Sequence, residues 1–376
     1  VQPSPMLTGR WPVLTMRPEM QVFATHQVRG LIKLGRHLVT PSPRVYLAIA
    51  RAALSAIARR LGVTAAWAQD RPMPYVIALP WTKADHAWLR RACRGKADIA
   101  VADYMFCAEG FDDLPDHGPN TAARIPRAIV MHDLFHARQG GAADSVALVS
   151  RDEEVALLGR ADAVIAIQSA EAAFVASAVP HVQGILAPMA ANPVAAPQPG
   201  IDGSLLFVGS NTAPNVVGLQ WFFDEVWPDI RAAHPGAHLD VAGTVARAFP
   251  QGGPPGVSFL GLVDDLGPLY RSAGVVISPL TFGSGLKIKL VEALAMGKAV
   301  VATPVTLQGI EDVCAGAVRV AENSSSFAEA TTELLSHPDR RTTLAECALA
   351  VARDHFSAAA SYAQFTAWLR IPPQQK

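Results

Sequence analysis

The residues of this chain whose types and spacing could do chemistry cluster in Gly274–Val301, GVVISPLTFGSGLKIKLVEALAMGKAVV. An apolar strand over Val275–Ser278 runs into Pro279 and a small-residue turn, Gly283-Ser284-Gly285. A helix over 286–296 follows, then Gly297 and another strand. A strand, a glycine turn and a helix in that order offer an anion the unpaired N–H groups and positive dipole end of the helix. Gly283 and Gly285 let a ligand approach the backbone. Lys287 and Lys289 fall in the expected first turn, where the macrodipole disfavours cations unless something anionic lies close by. Gly285, Lys289 and Glu292 share one helix face. A carboxylate two turns below a phosphate-sized site is placed to accept hydrogen bonds from a ribose diol. A surface Lys289–Glu292 pair, with the glycines as turn punctuation, explains the same residues equally well.

A second candidate is the His132-Asp133 pair that ends the apolar run Ile129–Met131. The carboxyl edge of a parallel sheet is where such folds place ligand groups. A ligand contact there is one reading of the pair; a His-Asp pair satisfied within the core is the alternative. His132 and His136 are four apart, a metal-chelating spacing on a helix, but no third ligand presents itself, so no metal is expected.

These motifs need elements to carry them. Short β-branched runs alternate with helical patterns, the signature of a parallel α/β fold. Strands are expected at Tyr75–Leu79, Asp98–Ala102, Arg127–Met131, Asp162–Ile167, Leu205–Val208, Leu239–Ala242, Val275–Ser278 and Ala299–Ala302. Helices are expected over 44–61, 84–94, 148–159, 214–233, 286–296 and 326–336, and a last pair over 338–354 and 357–370. The segment Pro188–Ser204 carries four prolines and two glycines without periodicity and reads as a linker. It divides an N-terminal domain, 1–188, from a C-terminal domain, 204–355, with 189–203 between them. A terminal helical segment, 356–376, could pack back on the first domain. Residues 1–43 give no reading.

Composition narrows the function. The 376 residues suit two domains, with 50% hydrophobic and 17% charged residues and a mean hydropathy of +0.22. Thirty-two basic residues balance thirty-two acidic ones, which argues against nucleic acid as the main partner. The four cysteines, at 93, 107, 314 and 347, have no metal or disulfide spacing, and a reducing, cytoplasmic compartment fits them. No apolar run is long enough to span a membrane. The stretch 44–61 is amphipathic, with Tyr46, Leu47, Leu54, Ile57 and Leu61 on one side and Arg44, Arg51 and Arg59 on another. An ordinary packed helix and a patch resting on the inner face of an anionic membrane both fit it. Trp67, Trp81 and Trp88 could line an acceptor groove or pack in the core. Gly297-Lys298 lacks the spacing of a P-loop, the 283–285 turn lacks the third glycine of a dinucleotide fingerprint, and there is no GxSxG elbow.

The run GSGLKIKLVEALAMGKAVVAT resembles the nucleotide-sugar motif of retaining family-4 glycosyltransferases, and Glu292–Val301 matches its E-A-x-A-x-G-x-(P/A)-V-V ending. The segments 205–243 and 257–270 are similar to the opening of that family's C-terminal domain and to its next strand and helix. The resemblance extends over about 204–311, is weaker over 98–180 and is absent before 43. It implies an α/β protein of GT-B architecture, two facing Rossmann-like domains with a deep interdomain cleft. It also implies retaining sugar transfer from a nucleotide-diphosphate donor to a glycan, lipid-linked or small-molecule acceptor, without a metal or cofactor. By position, Glu292 would bind the ribose. Ser284, Gly285 and Leu286, with Lys287, would hold the diphosphate, and Gly209 and Ser210 would lie against the phosphates or the sugar. Gly243 and 259–263 would wall the base, His132 would contact the donor sugar or leaving group with Asp133 orienting it, and closure about 188–204 would exclude water. The chain departs from the pattern in having Ser284 where the family has the first of two glutamates, and no cation in NTAPNVVGLQ after Gly209. An epimerase or phosphorylase of the same architecture, or a non-catalytic sugar-nucleotide binder, is the alternative.

Overall fold

The computed structural model describes residues 83–93, 97–115, 117–118, 124–137, 149–283 and 285–370, three short strands between 14 and 39, and single positions at 54, 57, 58, 61, 78 and 81. The expected strand Tyr75–Leu79 (apart from Ala78), most of the expected helix 44–61, Trp67 and Ser284 lie outside the described residues. Within the N-terminal stretch that gave no reading, β1 (Leu14–Thr15), β2 (Ile32–Leu34) and β3 (His37–Val39) form a small antiparallel sheet in the order β1-β3-β2.

The first parallel sheet contains β4 (Ala100–Asp103), β5 (Arg127–Met131), β6 (Ala163–Ala166) and β7 (Gln183–Leu186), in sequence order. All of β6 is buried, as an apolar run covered on both faces should be. The helix α1 (Lys83–Ala92) precedes the sheet, and α2 (Arg151–Leu158) and α3 (Ser169–Ala178) lie among its strands. The start of α2 falls at Arg151, not 148, because Ser150 caps it. Glu153 N donates to Ser150 Oγ at 3.2 Å, and Ser150 N donates to the Glu153 carboxylate at 2.8 Å.

The second sheet holds β8 (Ser204–Val208), β9 (His238–Ala242), β10 (Val257–Gly261), β11 (Val275–Ser278), β12 (Ala299–Ala302) and β13 (Arg319–Val320). Their order is β10-β9-β8-β11-β12-β13 and every pairing is parallel. Counted within the sheet this is 3-2-1-4-5-6, the doubly wound order, whose direction reverses between β8 and β11. The expected helix 214–233 is α4 (Ala213–Trp221), a π-helical turn over Phe222–Val226 and α5 (Trp227–Ala233). Pro228 has no N–H to donate to the preceding turn, and the wider turn beside it absorbs the loss. Further along lie α6 (Gly267–Ser272), α7 (Ile288–Ala295), α8 (Ser324–Ser336), α9 (Pro338–His355), α10 (Ala358–Ser361) and α11 (Ala363–Arg370). One core face joins Phe222, Phe223 and Trp227 to Leu205, Leu239 and Phe327. The other joins Leu290, Val291 and Leu294 to Leu206, Val276 and Val300.

The chain crosses between the sheets twice, and the crossings touch. Ala191 N donates to Phe356 O at 2.7 Å, and Ala191 pairs with Ser357. Beyond the second crossing, Trp368 of α11 is buried against Ala128, Ile165 and Ile185 of the first sheet. The segment after Ala191 is bound along its length to the second sheet's domain. Val194 N donates to Ala295 O at 2.8 Å, and Arg353 Nη2 donates to the carbonyls of Val194 and Ala195 at 3.0 and 2.6 Å. From Val194 on, the expected linker 188–204 is thus bonded to the second sheet's domain, and the two crossings between the sheets meet at Ala191 and Phe356.

Gly218 sets how closely α4 approaches the end of β11. A Cβ there would stand 2.4 Å from Pro279 O, on the segment that leads into the Gly283 turn. Gly218→Ala therefore forces backbone apart, at a cost of about 1–3 kcal/mol by overpacking, and a thermal melt should show a drop of several degrees. Gly236→Ala, whose Cβ would meet nothing within 4 Å, should show a much smaller change.

Candidate functional site at the carboxyl edge of the second sheet

Where β8 and β11 end side by side and their chains diverge, a pocket of about 480 Å³ opens. Ser210, Asn215, Gly283, Lys287 and Lys289 are among its polar lining, over a floor that includes Phe207, Leu286 and Leu290. This is the crevice at the reversal of strand order, where doubly wound sheets have room for a ligand.

The turn that borders it is held open by its backbone. Gly283 has φ 140° and Gly285 φ 75°, conformations that side chains rarely adopt, and a Cβ on Gly285 would meet nothing within 4 Å. The N–H groups of Gly283, Gly285 and Leu286 have no hydrogen-bond partner among the described residues. The helix begins two residues later than expected, at Ile288, so Lys287 is its N-cap and not part of the first turn. No side chain caps this end. Lys287 Nζ turns back to donate to Gly285 O at 2.6 Å. Burial pushes its ammonium pKa down, and the Asp133 carboxylate of the first sheet's domain pulls it partly back up. Lys287 and Asp133, read separately from the sequence, are thus close enough for each to feel the other's charge.

Lys289 Nζ donates to both oxygens of Glu292, at 3.0 and 2.7 Å, the surface pair that the spacing allowed. The same carboxylate lies near Tyr270, whose buried hydroxyl, on the pocket wall, has no hydrogen-bond partner among the described residues. Burial, and then Glu292, push that phenol well above its ordinary range. Neither Tyr270 nor Asn215 was singled out from the sequence. Asn215 Nδ2 donates to Ser210 O and Oγ at 3.0 and 3.2 Å and fixes the turn after β8. Gly209 offers no free amide, because its N–H donates to Ala242 O at 3.0 Å, and a Cβ there would stand 2.6 Å from the Phe207 ring. Gly243 backs directly onto Gly209: a Cβ there would stand 2.2 Å from Gly209 O.

Across the cleft, the orienting partner expected for His132 is corrected. His132 Nε2 bonds Asp103 Oδ1 at 2.6 Å, not Asp133. Asp103 ends β4 and His132 follows the last residue of the neighbouring β5, and the parallel register puts Asp103 beside Val130. The His132 ring stacks on Tyr104 with centroids 4.1 Å apart. Tyr104 has φ 70°, the one positive value outside glycine among the described residues. Such backbone strain persists only where the surroundings impose it. His136 Nδ1 is 2.6 Å from Glu154 Oε2 and turns away from His132. Among the described residues no three His, Cys, Asp or Glu converge on a metal-sized point.

The domains also meet where α3 begins. Ser169 Oγ donates to Gly309 O at 3.2 Å, and Gln168 packs so close that a Cβ on Gly309 would stand 2.7 Å from its Oε1. Gln168 Nε2 and Ile167 N both donate to the buried Glu171, at 3.1 and 2.9 Å. Burial raises the Glu171 carboxyl to about 7, above the effect of these donors, and Asp133 adds to the rise.

Residues 202–337 match the family model described as Glycosyl transferases group 1. No curated protein matches the chain. Among solved structures it is similar to sucrose-phosphate synthase from Thermosynechococcus elongatus, at 18% identity and a TM-score of 0.53 over 72% of each chain. It is similar to a TarM variant from S. aureus in complex with Fondaparinux, alpha-GlcNAc-glycerol and UDP, at 12% identity and a TM-score of 0.58, covering 76% of this chain and 58% of that one. A third is HepE from Anabaena in complex with UDP, at 15% identity and a TM-score of 0.51, covering 76% of this chain and 81% of that one.

Because Glu171 holds a proton in the folded chain up to about pH 7 and in the unfolded chain only to about 4.5, its contribution to stability falls as pH rises between those values. The wild-type melting temperature minus that of Glu171→Gln should therefore decline from pH 5 to pH 7.5, by several degrees; a flat difference would contradict the assignment. Taken together, the two parallel sheets in series are the GT-B fold, and the likeness that identifies the second of them, over 202–337, is to the group 1 glycosyl transferases.

Proposed function

We propose that this chain is a retaining glycosyltransferase that moves a sugar from a nucleoside-diphosphate donor to a glycan, a lipid-linked carbohydrate or a small hydroxylated acceptor. One observation carries the reading: an open pocket at the reversal of strand order, bordered by a glycine turn with unpaired amides and an uncapped helix end. It lies inside the segment that matches the group 1 family. UDP is the base to try first, since two of the similar structures contain it.

In this reading the diphosphate rests on the amides of Gly283, Gly285 and Leu286, with Ser284 and Ser210 beside it. Lys287 leaves Gly285 O to meet the diphosphate as negative charge grows on the departing group. Donors already in place when charge develops are what stabilise such a transition state. Glu292 accepts from the ribose diol, which requires it to loosen its hold on Lys289. Gly209 and Gly243 let the ends of β8 and β9 pack together beneath the phosphates. The acceptor enters from the side of His132, which Asp103 and Tyr104 hold in place, with Asp133 close to Lys287. Attack on the same face as departure uses the leaving phosphate as base, so the reading assigns no protein base, metal or cofactor. Closure about the paired crossings would exclude water and limit donor hydrolysis.

A lipid-linked acceptor at the cytoplasmic face of a membrane is part of the proposal. It is supported by Leu54, Ile57 and Leu61, exposed at helical spacing in a segment that also carries Arg51, Arg59 and Arg60. No described helix is long and apolar enough to cross a membrane.

Glu292→Ala should weaken UDP binding at least about tenfold by calorimetry, equivalent to ~1.4 kcal/mol; an unchanged dissociation constant would remove the ribose assignment. Lys287→Ala should lower kcat with a UDP-sugar by roughly 10²-fold, with a much smaller rise in donor KM. A change confined to KM would make Lys287 an anchor only.

A further inference from the structure

The opposite edge of the second sheet holds two buried cations that the donor reading does not use. Lys298, between α7 and β12, is 1% exposed, and Arg341, in the first turns of α9, is 2% exposed. Lys298 Nζ has one hydrogen-bond partner among the described residues, Gln198 O at 2.8 Å. Arg341 donates from Nη1 to Leu334 O at 3.2 Å and from Nη2 to Asp202 Oδ1 at 2.5 Å, while its buried Nε has no partner. Asp202 is the carboxylate that answers this pair, and its side chain is 77% exposed, so water screens much of its charge. Burial, and then Arg341, lower the Lys298 ammonium to about 8. Like charges this deep are costly unless something negative joins them.

Beside Arg341 is a cavity of about 140 Å³ whose wall also includes Gln198, Pro197, Gly274 and Ala299; Lys298 does not line it but lies behind that wall, bonded to Gln198 O. No acidic residue lines it. At about 30 Å³ per liquid water it has the volume of four or five waters, which suits a tetrahedral oxyanion and not a nucleotide. Gly274 and Ala299 stand at the amino ends of β11 and β12. A four-residue strand, roughly 13 Å long, separates this edge from the one that carries the Gly283 turn, so the two places are distinct.

We propose that Arg341, with the buried charge of Lys298 behind it, forms a binding site for a small oxyanion of the phosphate or sulfate type, at the edge of the second sheet where the segment 194–203 is bound. The anion accepts from Arg341 Nε, and Lys298, held on Gln198 O, adds positive charge through the wall. Because Gln198, Pro197 and Pro199 form the neighbouring wall, its occupancy fastens the segment between the sheets to the second domain. The site does not depend on the donor assignment.

The probe is inorganic phosphate at fixed ionic strength, with sodium chloride as the balancing salt, read by thermal melting. Ligand binding to the folded chain raises the melting temperature saturably. Wild type and Lys287→Ala should both gain several degrees, and Lys298→Met should gain at most about a third as much, because its apolar chain fills the ammonium's place without its charge. Phosphate resting only on the Gly283 turn gives the reverse pattern, loss in Lys287→Ala and retention in Lys298→Met, and overturns the proposal, as does the absence of a saturable rise. If Lys298→Met does not fold, bromide-soaked wild-type crystals decide: anomalous density in the cavity within hydrogen-bond reach of Arg341 Nε is expected, and an empty cavity overturns the assignment.

Discussion

The candidate site depends on β8 and β11 lying as parallel neighbours while their chains leave in opposite directions around the sheet. Val275 and Val276 are in register with Leu205 and Leu206, and past their ends no further ladder can satisfy the backbone. On the β8 side the next strand answers part of that need, since Gly209 N reaches Ala242 O. On the β11 side Pro279 has no N–H, and Gly283 and Gly285 adopt positive φ. Their amides, with those of the uncapped end of α7, remain available to an anion. The pocket, the lysines beside it and Glu292 one helix face away are consequences of that divergence.

The second constraint is that two domains must present their strand ends to one another. Trp368 buried on the first sheet and Ala191 bonded to Phe356 fix where the chains cross. Asp133 close to Lys287 and Gln168 against Gly309 fix where the faces meet. Ile167, packed against the core of the second domain, adds an apolar contact to these polar ones.

Sequence reasoning reached the parts of the fold with the strongest local signal. Arg127–Met131, Val275–Ser278 and Ala299–Ala302 are apolar runs between turn residues, and the structure gives them the expected bounds. It missed β7, whose Gln183 and Gly184 are exposed and break the apolar pattern, and β13, which is two residues long. It missed α3 because an Ala- and Ser-rich helix has almost no apolar stripe. At the site, the glycine turn and its lysines were legible because strand, turn and helix are contiguous. Asp103 was not: it lies 29 residues from His132, and only the pairing of β4 with β5 brings them together. Reading the residue that follows each expected strand, Asp103 after Ala102 and His132 after Met131, against its neighbour's would have found it. Tyr270 and Asn215 carried no signal of their own, being a core-like tyrosine and a turn-fixing asparagine.

The central claim is that the amides around Gly283 receive a diphosphate. Hydrogen–deuterium exchange with and without UDP reads those amides directly. Strong protection of the 280–292 segment, with a smaller effect over 207–215 and none at the 194–203 segment, is the expected result. Protection absent from 280–292, or confined to the first domain, would contradict the account.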